Sequence, residues 1–259
     1  APHLHRGRLG PAALNPFTLH PIEIAGQIAV LDMATNGRAY LGLVRGAWLD
    51  RLGLETSQSV DRLREAILLI QHLLARRSEA FSGEVFHLAA GSTLRYAPLR
   101  SSVPLTIGTW SLRTAALAGE LADEIKVGGC ANPALVEHIR TAAPTVPLCF
   151  GAVTVIDGDA DRARRTARHE LRVYLPVIAR LDPTLEDPDW LARLPPEDLP
   201  DELLDRFAFA GDPPSIVRQV EALFEAGAAR VEFGTPHGVD NPCAAISLLG
   251  ERVLPYFRS

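Results

Sequence analysis

Short β-type runs alternate with longer amphipathic stretches along the whole chain, and nothing else in the sequence constrains the fold as strongly. The β-type runs fall at residues 8–14 (RLGPAAL), 38–44 (RAYLGLV), 104–108 (PLTIG), 124–128 (EIKVG), 147–156 (PLCFGAVTVI) and 230–234 (RVEFG). Helices are predicted over 21–35, 60–76, 112–122, 133–143, 159–181, 213–226 and 241–256. The first shows Ile22, Ala25, Ile28, Ala29 and Met33 on one face, and the second a stripe of Leu63, Ile67, Ile70 and Leu74. Residues 81–88 read as a small hairpin, and 182–206, rich in proline and acids, as an irregular insertion. Asp212 ahead of Pro213 is a good helix start. Strands separated by helices pair in parallel through right-handed crossovers. Two architectures satisfy that pattern, a doubly wound sheet and a (β/α)8 barrel, and no GxGxxG follows any strand to favour the first.

Charge and cysteine usage narrow the function classes. Lys+Arg 26 against Asp+Glu 31 leaves −5, which argues against a nucleic-acid protein with its basic face. Lys126 is the one lysine. Cys130, Cys149 and Cys243 are far apart with no CxxC, so neither a disulfide framework nor a structural zinc site is expected. No histidine pair has metal-ligand spacing. No uncharged apolar run reaches the ~18 residues of a spanning helix, and no apolar run follows the basic start as in a signal peptide. These readings point to a single domain over 1–259 that works in the reducing cytoplasm, with no metal and no nucleic-acid or membrane partner.

The text NPFTLHP at Asn15 to Pro21, then Asn36-Gly37-Arg38 and Leu41-Gly42-Leu43-Val44, resembles the luciferase-like monooxygenase superfamily of flavin- and deazaflavin-dependent enzymes. Within it the chain is most similar to the coenzyme F420-dependent branch typified by methylenetetrahydromethanopterin reductase. EVFHL (84–88), IGTWSLRTAALAGELADEIKVGG (107–129), FAFAGDPPSIVRQV (207–220) and EFGTPHGVD (232–240) follow in the family's order. The resemblance implies a (β/α)8 TIM barrel in which the six runs are strands three to eight, and a homodimer. Strands one and two are then missing from the sequence, as expected of a fragment, a misplaced gene start or a degenerate member.

The resemblance also implies the site, at the C-terminal ends of the strands. A bulge with a non-prolyl cis peptide at Ala12–Ala13 is expected to press on the deazaflavin ring, beside Asn15. Helix starts bind phosphate through exposed N–H groups. The turn with Thr109, Trp110 and Ser111, and a second with Gly128, Gly129 and Cys130, are therefore expected to grip the cofactor's phosphate. Trp110 departs from the Gly-rich text usual there, and either covers the cofactor or packs. Lys126 either reaches that phosphate or pairs with Asp123 or Glu124, since a strand lysine needs an anion or water. Arg45 meets a cofactor or substrate anion, or orients its loop. Substrate is expected to enter over Phe17, Trp48 and His237. His20 reads as a helix cap, and the arginines at 162, 164, 165 and 168 as a solvated helix face. No general acid or base is identified; in the family such groups often come from strands one and two. The expected activity is hydride transfer between reduced F420 and a small organic substrate. The alternatives are an FMN-dependent monooxygenase and a shortened, non-catalytic cofactor-binding barrel.

Overall fold

Helix α1, Pro21–Ala34, begins where His20 Nδ1 accepts the Ile22 N–H at 3.2 Å and Pro21 opens the first turn. It ends at Asn36 and Gly37, with φ of 51° and 77°, the left-handed stop the sequence predicts. The computed structural model describes residues 4–46, 49–54, 56–238 and 240–257. The chain divides into one unit of Ala1–Thr109 with Arg113–Ile125 and another of Trp110–Leu112 with Lys126–Ser259.

In the first unit α1 is followed by β1 (Leu41–Val44), α2 (Ser59–Leu74), the hairpin strands β2 (Phe81–Ser82) and β3 (His87–Leu88), β4 (Leu105–Gly108), α3 (Leu112–Leu121) and β5 (Glu124–Gly128), the last two being shared with the second unit. β1 and β4 pair in parallel from Leu41↔Leu105 to Val44↔Gly108. The 8–14 run is less than the strand expected. It makes two isolated parallel bridges, Leu9↔Ala39 and Leu14↔Leu43, because Pro11 has no N–H to give and the chain bulges beyond it.

The buried face of α1 also differs from the predicted one. Ile24, Ala25, Ile28, Ala29 and Asp32 turn inward, while Ile22 and Met33 are exposed. The helix is apolar almost all round, so hydrophobicity does not choose its face. Asp32 does: its carboxylate, 1% exposed, accepts Arg100 Nε at 2.9 Å and the Ala39 N–H at 3.3 Å, and Arg100 Nη2 also donates to the Ala39 carbonyl. One ion pair thus ties the end of α1 to the entry of β1.

In the second unit come α4 (Ala134–Arg140), β6 (Leu148–Ile156), α5 (Ala160–Leu171), the short helices α6 (Leu175–Ile178), α7 (Pro188–Leu191) and α8 (Asp201–Phe207), then β7 (Ala208–Gly211), α9 (Pro213–Glu225), β8 (Arg230–His237) and α10 (Pro242–Leu248). β6 shares one edge between two parallel partners. β8 takes it from Cys149↔Arg230 to Val153↔Gly234, and β7 from Val153↔Ala208 to Ile156↔Gly211. Among the described residues every ladder outside the β2–β3 hairpin is parallel, as the α/β class requires.

Three sequence expectations are corrected here. β7 was not foreseen; AFAG is a fully buried run of four and shows no alternation. The 159–181 helix breaks after Leu171, because Pro176 lacks an N–H and its ring would clash with the Arg172 carbonyl. The arginines of α5 are not simply a solvated face. Arg164 pairs with Asp201 at 3.0 Å and Asp205 at 2.9 Å, Arg168 with Asp201, and Arg168 Nε donates to the Leu199 carbonyl at 2.8 Å. They hold the 182–206 stretch, whose other end is fixed by Asp182.

Replacing Arg100 by Leu leaves the Asp32 carboxylate buried with a backbone donor alone. The expected loss is about 3 kcal/mol of unfolding free energy, the low end for a broken buried pair because Arg100 is partly exposed. Adding Asp32→Asn is expected to recover part of it, read from urea unfolding midpoints.

Candidate functional site

In the first unit the 8–14 run ends in a bulge whose Ala12–Ala13 peptide is cis, at the position the resemblance implies. Both alanines are exposed. The bulge lies against β1 at Gly42, whose N–H donates to the Pro11 carbonyl at 2.9 Å and whose carbonyl accepts the Leu14 N–H at 3.0 Å. A Cβ on Gly42 would stand 2.4 Å from the Pro11 oxygen and 3.1 Å from Ala12 Cα. Only a glycine allows this approach.

Asn15 follows at once. Its Oδ1 accepts the N–H of Phe17 at 3.1 Å and of Thr18 at 3.0 Å, together with the Thr18 hydroxyl at 3.0 Å. Its amide nitrogen lies 3.2 Å from where a Cβ on Gly46 would stand, and Gly46 has φ +102°. Asn15 therefore shapes the loop with its oxygen, which is not available to a ligand. Arg45, the neighbour of Gly46, is exposed. The half-buried Phe17 ring carries the Arg62 guanidinium 4.9 Å from its centroid, and the same guanidinium lies 5.4 Å from the Phe86 centroid. Trp48 lies outside the described residues.

Arg62 and Glu65 on α2 escaped the sequence reading. The Glu65 carboxylate accepts the N–H groups of Glu84 at 2.7 Å, Val85 at 2.8 Å and Phe86 at 2.9 Å, so it fixes the hairpin that carries Phe86. Burial pushes the Glu65 pKa up, but the three N–H donors together outweigh it and hold the group below its ordinary value. The signal was there: both are charged residues on a helix with a strong apolar stripe, one turn apart, ahead of a hairpin needing donors satisfied.

In the second unit the 128–130 turn does not offer its N–H groups to a phosphate as expected. The N–H groups of Gly129 and Cys130 both donate to the Gly151 carbonyl, at 2.6 and 3.0 Å, and that of Ala131 to the Arg206 carbonyl at 2.8 Å. The Cys130 side chain is fully buried, and burial pushes its thiol pKa far up, so it is neither a cofactor contact nor a nucleophile. Lys126 is likewise reassigned. It pairs with Glu232 on β8, since Asp123 is occupied by the Leu105 N–H and Glu124 meets the Thr106 hydroxyl. Trp110 is a half-buried packing residue here, with Nε1 donating to the Gly128 carbonyl at 2.8 Å. Thr109 is half-buried and Ser111 exposed at the entry to α3. The strand β8 ends at His237, whose side chain lies outside the described residues.

Residues 3–230 match the family described as luciferase-like monooxygenase. The chain belongs to that family. Its luciferase-like relatives include the 5,10-methylenetetrahydromethanopterin reductase of Archaeoglobus fulgidus, 27% identical over 96% of this chain and 82% of the relative. The F420-dependent glucose-6-phosphate dehydrogenase of Kineococcus radiotolerans is 26% identical over 89% of this chain and 73% of its own length. The structure of the coenzyme F420-dependent tetrahydromethanopterin reductase of Methanopyrus kandleri superimposes with a TM-score of 0.79 at 22% identity, covering 97% of this chain and 83% of that one. The luciferase-like (β/α)8 fold expected from the sequence is thereby shown. Among the described residues no helix is long and apolar enough to cross a membrane, and no group of three or more His, Cys, Asp or Glu could hold a metal ion.

Two outcomes follow from this geometry. Gly42→Ala is expected to cost about 1–3 kcal/mol and to distort the bulge. Gly158→Ala, where an added Cβ meets nothing within 4 Å, is its control, and thermal unfolding compares them. Glu65 contributes stability at pH values above the ordinary carboxylate pKa, and this is lost as pH falls through its depressed folded value. The gap in melting temperature between the wild type and Glu65→Gln is therefore expected to be full at neutral pH and to close below about pH 4.

Proposed function

We propose that this chain is an F420-dependent oxidoreductase that transfers hydride between the reduced deazaflavin and a small organic substrate, in the manner of methylenetetrahydromethanopterin reductase. The observation that carries this reading is the pair of exposed alanines in the cis bulge, supported from beneath by Gly42. A surface of two small side chains and bare backbone fits a planar ring, and it stands where the family's ring contact is expected. Relatives named as F420-dependent support the same cofactor.

When bound, reduced F420 supplies the hydride from C5 of its ring. The chain's own part is binding, orientation and exclusion of water. Ala12 and Ala13 lie against the ring, with Asn15 keeping the loop beyond them in shape. Thr109, Trp110 and Ser111 at the entry to α3 hold the phosphodiester, because N–H groups at a helix start favour an anion. Gly128, Gly129 and Cys130 support that turn and do not donate to the phosphate, and Lys126 stays with Glu232. Arg45 is left to meet an anion of cofactor or substrate. Phe17, Trp48 and His237 line the substrate's entry. The reading includes a homodimer in the cytoplasm, on the strength of the family resemblance.

The test is a fluorescence titration of the chain with F420, with FMN as competitor. F420 binding that excess FMN does not reverse is the expected result. A preference for FMN overturns the cofactor assignment in favour of a flavin monooxygenase, and a folded chain that binds neither overturns the enzyme reading in favour of a non-catalytic barrel.

A further inference from the structure

An indole N–H is a donor with no acceptor capacity, and when it is drawn into a protein it finds one partner. Trp110 has taken the Gly128 carbonyl, at 2.8 Å. Its ring packs against the buried cluster that includes Ala167, Leu171, Leu175 and Ile178. The acceptor is itself immobile. The next two N–H groups, of Gly129 and Cys130, are bound to the Gly151 carbonyl, and Gly129 sits at φ +75° with Ile178 Cγ2 3.1 Å from where a Cβ would stand. Trp110 therefore spans from the turn that enters α3 to a turn locked onto β6 and backed by Ile178. A phenylalanine in its place would fill much of the same space and make no such link.

We propose that Trp110 is a positioning residue for the cofactor's phosphodiester: its indole is a strut that fixes the 108–111 turn, so that the N–H groups at the start of α3 are already aimed when the anion arrives. This rests on the F420 reading above. Preorganised donors cost no ordering on binding, and that advantage reaches only the part of the ligand they face. The ring end of the cofactor gains nothing from the strut.

That asymmetry supplies the test. Trp110→Phe keeps an aromatic ring in the cluster and removes the N–H. Dissociation constants are measured for F420 and for the same deazaflavin ending in its ribityl hydroxyl, with no phosphodiester. The expected result is a loss of about 5–20-fold for F420, the scale of one hydrogen bond, with the phosphate-free ligand unchanged. Equal losses for both ligands, or none for either, overturn the strut while leaving the F420 reading standing. A folded wild type that binds neither ligand overturns the F420 reading and the strut together. If Trp110→Phe does not fold, the wild type decides. With nitrogen-15-labelled tryptophan, the Trp110 indole resonance is expected to shift on adding F420 and to stay in place on adding the phosphate-free ligand. A response that is the same to both ligands overturns the proposal.

Discussion

On β6 the Gly151 carbonyl oxygen accepts two N–H groups, from Gly129 at 2.6 Å and from Cys130 at 3.0 Å, and the organisation of the second unit follows from that double bond. It turns the chain sharply after β5 and buries the Cys130 thiol, whose sulfur then takes the Asn132 N–H at 3.4 Å. It also leaves the Gly128 carbonyl for Trp110. The missing side chain of Gly151 matters equally. A Cβ there would stand 3.3 Å from both Lys126 Cε and Glu232 Cβ, so the glycine leaves room for the ion pair that joins β5 to β8. One residue thus sets the turn with its backbone and the pair with its absence of side chain.

A similar economy governs the first unit. Gly42 lets the bulge approach β1, and Asn15 then spends its oxygen on the N–H groups of the next turn, which would otherwise face outward with no partner. The aromatic and cationic residues beyond, Phe17, Arg62 and Phe86, are stacked on one another and held by the Glu65 contacts to the hairpin. Here the site is made of backbone shape first and side-chain chemistry second, which suits a protein whose reacting group belongs to a bound cofactor.

Local signals were legible in the sequence where local forces decide. The caps at His20, Asn36-Gly37 and Asp212 were readable because each is a short-range contact between a side chain or a left-handed residue and its own helix end. The position of the cis peptide was readable through family resemblance alone; composition and spacing contain no sign of it. What failed was partner choice. Lys126 has two acids close by in sequence, yet it pairs with Glu232, more than a hundred residues away, because strand pairing brings β8 over Gly151. The face of α1 failed for the same reason: Asp32 found Arg100. The arginines of α5 looked like a wet surface because their acids, Asp201 and Asp205, lie in a stretch without periodicity.

That stretch, 182–206, is fastened at both ends. Asp182 is 2% exposed; its carboxylate accepts the Thr184 N–H at 2.9 Å and the Asn132 amide at 3.2 Å, and Arg206 reaches the Thr184 hydroxyl at 2.9 Å. The far end is clasped by Arg164 and Arg168. A flap over an active site must let go somewhere, and this segment holds at each place where it could. It works as scaffolding instead. Asn132 belongs to the same turn as Gly129, so a disturbance that loosens Asp182 travels straight into the masonry behind the cofactor turn, without crossing solvent.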